Sequence, residues 1–324
     1  MIIWQVFILI FFSFLLIKSA EWTIVSLRRI AKKSKFSVFA ISAVILAVGT
    51  SLPELFVGIT SALENSSNIS LGVVLGSNIA NTALVTGIVA LVLGKINVHG
   101  NYLKRDVFLS LIAGLLPLAL IADGILGRVD GLILLFAYAA YVAGIFKDKF
   151  SEITNEHNQE SFFYKFLREL NHIDFDVTKE YARLFVSLGL LLFSSEMIIN
   201  AAKYMALSFG IPVFVVGLIV LAIGTSLPEL IFSIRSVGSG EPKMFFGNLL
   251  GSTIANSTLV VGLTAVINPI KVVSFLDYRN AVIAFVVIFL TFWMFIRTKH
   301  RLDRWEAMVL VILYLIFVTL ELVY

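Results

Sequence analysis

Residues 46–55 read LAVGTSLPEL, and residues 221–230 read LAIGTSLPEL. The two segments differ at one of ten positions and stand 175 residues apart, from 46 to 221. The same offset carries LGSNIAN at 75–81 onto LGSTIAN at 250–256. It also relates Val38 to Val213, Phe39 to Phe214, Gly72 to Gly247, Gly87 to Gly262 and Glu21 to Glu196. A fixed offset held over this length marks an internal duplication. The chain therefore reads as two similar halves, with no gap between their motif regions.

The solvent of those halves follows from composition. Of the 324 residues 59% are hydrophobic, 28 are Phe and only 14% are charged, against roughly 25% charged in a soluble domain. Mean hydropathy is +0.97. A lipid environment accounts for this composition. A spanning helix needs about 20 mostly apolar residues. Ten such stretches are present, at 2–27, 37–62, 70–93, 107–123, 128–146, 183–204, 212–236, 244–268, 280–297 and 304–323. Met1 to Leu16 carries no charge ahead of its apolar run, so it reads as a first span and not as a signal peptide.

Five spans per half is an odd number, so the second half enters the membrane from the opposite face. The expected fold is all-α, ten transmembrane helices in two inverted five-helix repeats. Residues 1–146 form the first repeat and 182–324 the second. The polar stretch 147–181 links them, with an amphipathic helix expected near 162–170. Of the 25 Lys and Arg, only Arg128, Lys203, Lys271 and Arg279 stand at the loops after spans 2, 4, 6 and 8. By the positive-inside rule the other loops, and 147–181 with them, are cytoplasmic, and both termini are extracellular. The formal charge of +4 thus belongs to topology and not to nucleic acid.

Glu54 and Glu229 fall mid-way along spans 2 and 7. A charge at bilayer depth costs several kcal/mol. A purely structural role needs a buried Lys or Arg partner, and none lies near the centre of any span. A mobile cation is the alternative counter-charge. Pro53 and Pro228 lack an N–H, so carbonyls a turn earlier, near Val48 and Gly49 in the first half, lose helical partners. Carbonyls at a broken helix can coordinate ions. Thr50, Ser51, Thr225 and Ser226 add hydroxyls. Ser77, Asn78 and Asn81, with Ser252, Thr253 and Asn256, add hydroxyls and amides. Calcium takes six to eight oxygens at about 2.3–2.6 Å, and two carboxylates balance one divalent ion. With no Cys, and with His99, His157, His172 and His300 all in loops, a soft or imidazole site is disfavoured. Glu21 and Glu196 read as interfacial; Asp106, Asp123 and Asp130 flank spans and read as solvated.

At GTSLPE and GSNIAN the chain resembles the sodium/calcium exchanger family, within the wider cation/calcium exchanger superfamily and of prokaryotic type. The likeness covers both repeats. It implies a secondary antiporter of the cell membrane that exchanges calcium for sodium by alternating access, spans 1 and 6 sliding against the other eight. It implies ion binding by Glu54 and Glu229, by Thr50, Ser51, Thr225 and Ser226, by Ser77 and Ser252, and by the carbonyls of Ala47 and Ala222. Asn81 and Asn256 complete the expected set. Many members carry Asp at the last position of the second GSNIA-type motif, where this chain has Asn256. Two ionisable carboxylates instead of three remove the expectation of a potassium requirement. No resident cofactor, no covalent chemistry and no obligatory protein partner are expected; a monomer holds a complete site. A proton-coupled calcium antiporter and an acidic cation channel are the competing readings. Single-site saturation kinetics separate the channel from a carrier.

Overall fold

The computed structural model describes residues 2–33, 51–97, 102–155, 177–238, 240, 242–272, 276–299 and 301–323. Within them the chain is helical apart from four very short strands. Helix α1 is Ile2–Lys33, α2 is Leu52–Leu63, and α3 is Asn68–Ala80, which runs through a π-helical turn Asn81–Val85 into α4, Thr86–Leu93. Strand β1, Lys95–Asn97, leads to α5, Tyr102–Leu120. Strand β2, Ile125–Leu126, then leads to α6, Arg128–Asn155. The second half opens with α7, Val177–Phe209. Helix α8, Val213–Val216, a π turn Gly217–Leu221 and α9, Ala222–Thr225, form one run ahead of α10, Leu227–Gly238. Helix α11, Pro242–Ile254, continues through a π turn Ala255–Val260 into α12, Val261–Ile267. Strand β3 (Ile270–Lys271), α13 (Leu276–Lys299), β4 (Arg301–Asp303) and α14 (Arg304–Val323) complete the chain.

Eight of these helical runs are long and apolar enough to cross a membrane. They fall on expected spans 1, 3, 4 and 6–10. Helix α2 is shorter and covers the second part of expected span 2; residues 34–50 lie outside the described set. Some boundaries move. Helix α1 continues to Lys33, α6 to Asn155, and α7 starts at Val177. The stretch expected as a loop at 147–181 is thus helical at both ends. An apolar run marks the lipid-spanning part of a helix, and polar residues with ordinary helix propensity continue it beyond that run at little cost. The expected helix near 162–170 falls outside the described residues.

The core is built around α3. Of the run Asn68–Leu93, 89% is buried in protein, against 33% for Trp4–Thr23. Glycine makes this depth possible. A Cβ on Gly72 would strike the carbonyl oxygen of Phe214, and one on Gly76 would strike that of Leu218 and come within 2.6 Å of the Ala222 Cβ. Small residues let membrane helices touch backbone to backbone. Gly217 repeats the close approach from the other side, where an added Cβ would lie 2.8 Å from the Ile69 oxygen. Outside this centre, Phe285, Phe289 and Phe292 of α13 pack with Phe245 and Phe246 of α11 in tilted and edge-on pairs. Helices α1 and α7 pack against each other at the periphery.

The strands form two antiparallel ribbons. Lys95 pairs with Asp303, Ile96 with Leu302 and Asn97 with Arg301. Ile125 pairs with Lys271 and Leu126 with Ile270. The repeat offset of 175 carries β1 onto β3, and an offset one residue longer carries β2 onto the start of β4, so the duplication exchanges one ribbon for the other. The starts of α6 and α14 match as well. Asp130 accepts the Gly127 N–H at 2.8 Å, and Glu306 accepts the Asp303 N–H at 2.9 Å. Each carboxylate caps a helix N-terminus three residues ahead of it. Asp130 therefore has a backbone partner, where sequence suggested only solvent.

Candidate ion-binding site

The helical runs α9 and α10 break at Ser226, and α2 begins immediately after Ser51. Pro228 and Pro53 then sit in the first turn of the new helix, where a missing N–H costs nothing and the fixed φ suits helix entry. Both helix starts place a glutamate in the first turn: Glu54 on α2, Glu229 on α10. Ser51 oxygen accepts from Leu55 N–H at 2.9 Å, and Ser226 oxygen from Leu230 N–H at 3.1 Å.

Both glutamates are buried, Glu54 at 0% and Glu229 at 2% exposure. Among the described residues no basic side chain pairs with either. Ser77 Oγ donates to Glu54 Oε1 at 3.3 Å and lies 3.1 Å from Thr225 Oγ1. One hydroxyl of α3 therefore joins the carboxylate of the first half to the broken helix of the second. Glu54 Oε2 and both oxygens of Glu229 have no hydrogen-bond partner among the described residues. The hydroxyls of Ser51 and Ser226, both amide atoms of Asn81 and the Oδ1 of Asn256 share that state. Buried polar groups are nearly always paired. These unpartnered oxygens and the two uncompensated carboxylates are the candidate groups of a cation site.

The expected residues do not all behave alike. Ser252 donates to its own helix, at 3.1 Å from Leu249 O, and so does not mirror the Ser77–Glu54 contact. The Ala222 carbonyl accepts the Ser226 N–H at 3.1 Å and faces Thr225 Oγ1 at 3.4 Å. Thr50 and Ala47 lie outside the described residues. Among the described residues no group of three or more His, Cys, Asp or Glu gathers. The donor set is instead two carboxylates with hydroxyls and amides, the hard-oxygen chemistry of calcium and not of zinc or copper.

Sequence reasoning missed two features. Asn81 and Asn256 do not sit on plain α-helix; each stands in a π turn, Asn81–Val85 and Ala255–Val260. Such turns insert one extra residue and recur at functional sites. Ser257, following Asn256, is drawn into the polar centre, where Asn78 Nδ2 donates to its Oγ at 2.8 Å. The repeat itself carried a signal for it: a hydroxyl follows the Asn in both halves, Thr82 and Ser257.

Comparison with known proteins bears on the same features. The family model for sodium/calcium exchanger protein matches residues 4–147 and 179–323. Inner membrane protein YrbG of Escherichia coli is 33% identical over 229 residues, covering 71% of this chain and 69% of YrbG. Sodium/calcium exchanger MaX1 of Methanosarcina acetivorans is 28% identical over 330 residues, covering 93% and 94%. Among solved structures, the sodium-calcium exchanger NCX_Mj soaked with Na+ and Sr2+ superposes with a TM-score of 0.62 at 25% identity, over 98% of this chain and 99% of that one. With its apolar helices, the chain is a multi-pass membrane protein. The family match spans both halves, including the two motif glutamates, and on it the chain belongs to the sodium/calcium exchanger protein family.

Proposed function

We propose that the protein is a secondary antiporter exchanging calcium for sodium through one site between Glu54 and Glu229. One observation carries the reading: two buried carboxylates at corresponding helix starts have no basic partner among the described residues and stand amid unpartnered oxygens. A single divalent ion balances them, and sodium ions compete for the same oxygens. The two substrates then exclude each other. The doubly charged empty site resists passage through an occluded, apolar state, so only a loaded carrier switches sides. That condition couples the fluxes without any covalent step. Calcium and sodium are the cargo, and no resident cofactor is required.

The wider set of ligands is proposed as Thr50, Ser51, Ser77, Asn81 and the Ala47 carbonyl, with Thr225, Ser226, Ser252, Asn256 and the Ala222 carbonyl. The architecture is proposed as ten spans in two inverted repeats, 1–146 and 182–324, with 147–181 as the cytoplasmic link and both termini outside. The exchange of the two ribbons at offsets of 175 and 176 supports it, as do the matching caps at Asp130 and Glu306 and the family match divided between 147 and 179. Alternating access in a plasma membrane by a monomer follows from one complete site per chain.

The test is radiolabelled calcium uptake into proteoliposomes loaded with sodium, beside matched vesicles carrying only a pH gradient. Uptake driven by the outward sodium gradient is expected. Uptake driven by protons alone moves the protein to the proton-coupled class, and uptake with neither gradient overturns the antiporter reading.

A further inference from the structure

Asn78 is buried to 1% exposure, next to Ser77 on α3, and its hydrogen bonds among the described residues go to neither glutamate. It reaches instead across to the second half. Its Nδ2 donates to Ser257 Oγ at 2.8 Å, and its Oδ1 accepts from Asn256 Nδ2 at 3.3 Å. Ser257 and Asn256 are equally buried, and the Ala255–Val260 turn that bears them packs on α2, the helix of Glu54. The result is a chain of three side chains, Ser257–Asn78–Asn256. Its free end is Asn256 Oδ1, which has no partner among the described residues.

An amide is a donor at one end and an acceptor at the other. While Asn256 Nδ2 is committed to Asn78, its oxygen is the end left for the site. The same three side chains also satisfy one another with both amides turned over. The Ser257 hydroxyl then donates to Asn78 Oδ1, Asn78 Nδ2 donates to Asn256 Oδ1, and the Asn256 N–H groups become the free end. An oxygen suits a bound cation; N–H groups suit two bare carboxylates. The first half has no such device. Position 253 is Thr, and its hydroxyl donates to Leu249 O at 2.9 Å, so Asn81 is left with both amide atoms unpartnered.

Resting on the exchanger reading, we propose that Asn78 is a positioning residue whose two-way relay through Ser257 sets which end of the Asn256 amide faces the ion. Asn256 presents its oxygen to calcium when the site is loaded and its N–H to the carboxylates when it is empty. The relay depends on position 256 being an amide. A carboxylate there offers oxygen whichever way it is turned and has no use for Asn78.

The experiment is calcium binding to the purified full chain by isothermal titration calorimetry, on wild type, N78A, N256D and N78A/N256D. N78A is expected to weaken calcium binding about tenfold, the worth of one oriented hydrogen-bonding group. In the N256D background the same substitution is expected to change affinity less than about twofold. N78S, too short to bridge to Asn256, is measured in the same two backgrounds, so that the result does not hang on one variant folding. An equal loss in both backgrounds makes Asn78 a packing residue and overturns the proposal, as does no loss in either. A wild type that binds no calcium overturns the exchanger reading itself, which separates the two failures.

Discussion

An ionised carboxylate inside a bilayer must find its counter-charge, and at Glu54 and Glu229 none of the described side chains supplies it. The neighbouring residues are chosen for oxygen and against charge: Ser51, Ser226, Ser77, Asn81 and Asn256 are all nine-tenths buried or more. Asn256 is the telling position, because an amide contributes an oxygen without adding a third negative charge. In the proposed site one calcium neutralises the two charges and leaves no residual charge for a potassium ion to balance. Sodium-driven calcium flux is therefore expected to be unchanged when potassium is replaced by choline on both sides of the vesicle. A flux that falls several-fold on potassium removal contradicts this reading of Asn256.

Between helices, hydroxyls and one ion-pair cluster fix the contacts that apolar surface leaves unspecified. Helix α1 is tied to α7 by Thr23 Oγ1, which donates to Ser187 Oγ at 2.8 Å, and by Arg29 with Glu180 at 2.6 Å. Arg183 adds a second guanidinium to Glu180 at 3.2 Å. Glu180 is buried, while Arg29 keeps a fifth of its side chain exposed. Glu180→Ala removes the carboxylate that Arg29 and Arg183 share at this end of the interface. Its expected cost is about 1–3 kcal/mol, less than the ~3–5 of a fully buried broken pair, read as a fall in melting temperature in detergent. Helix α7 is also joined to the centre, by the hydroxyls of Ser195 and Thr60 at 2.6 Å and by Lys203 near Glu64 at 3.4 Å. The sequence made the helices and the two glutamates legible, because apolar length and a ten-residue repeat are local signals. It did not reveal Arg29 with Glu180, which stand 151 residues apart and read only as topological charge. Nor did it reveal the π turns at Asn81 and Asn256, since an inserted residue leaves hydrophobic periodicity almost unchanged. The Ser77 contact to both Glu54 and Thr225 needed the two halves folded together.

For the whole molecule, the proposed architecture is an inverted duplication that sets two similar five-helix units around one central site, with its orientation read from where Lys and Arg collect. The absence of Cys makes that orientation directly measurable with single introduced thiols. Glu64 and Lys95 are both exposed, at the loops after spans 2 and 3. A membrane-impermeant maleimide applied to intact cells is expected to label Glu64→Cys and to spare Lys95→Cys until the membrane is opened; the reverse pattern inverts the topology. The central claim, that one pair of carboxylates carries the ion, is tested most directly by calcium flux in sodium-loaded proteoliposomes bearing Glu54→Gln or Glu229→Gln. Glutamine keeps the shape and removes the charge, so each protein is expected to assemble and to lose sodium-driven uptake by at least about a hundredfold, on the order of 3 kcal/mol. A variant that assembles and still exchanges calcium at a wild-type rate contradicts the account.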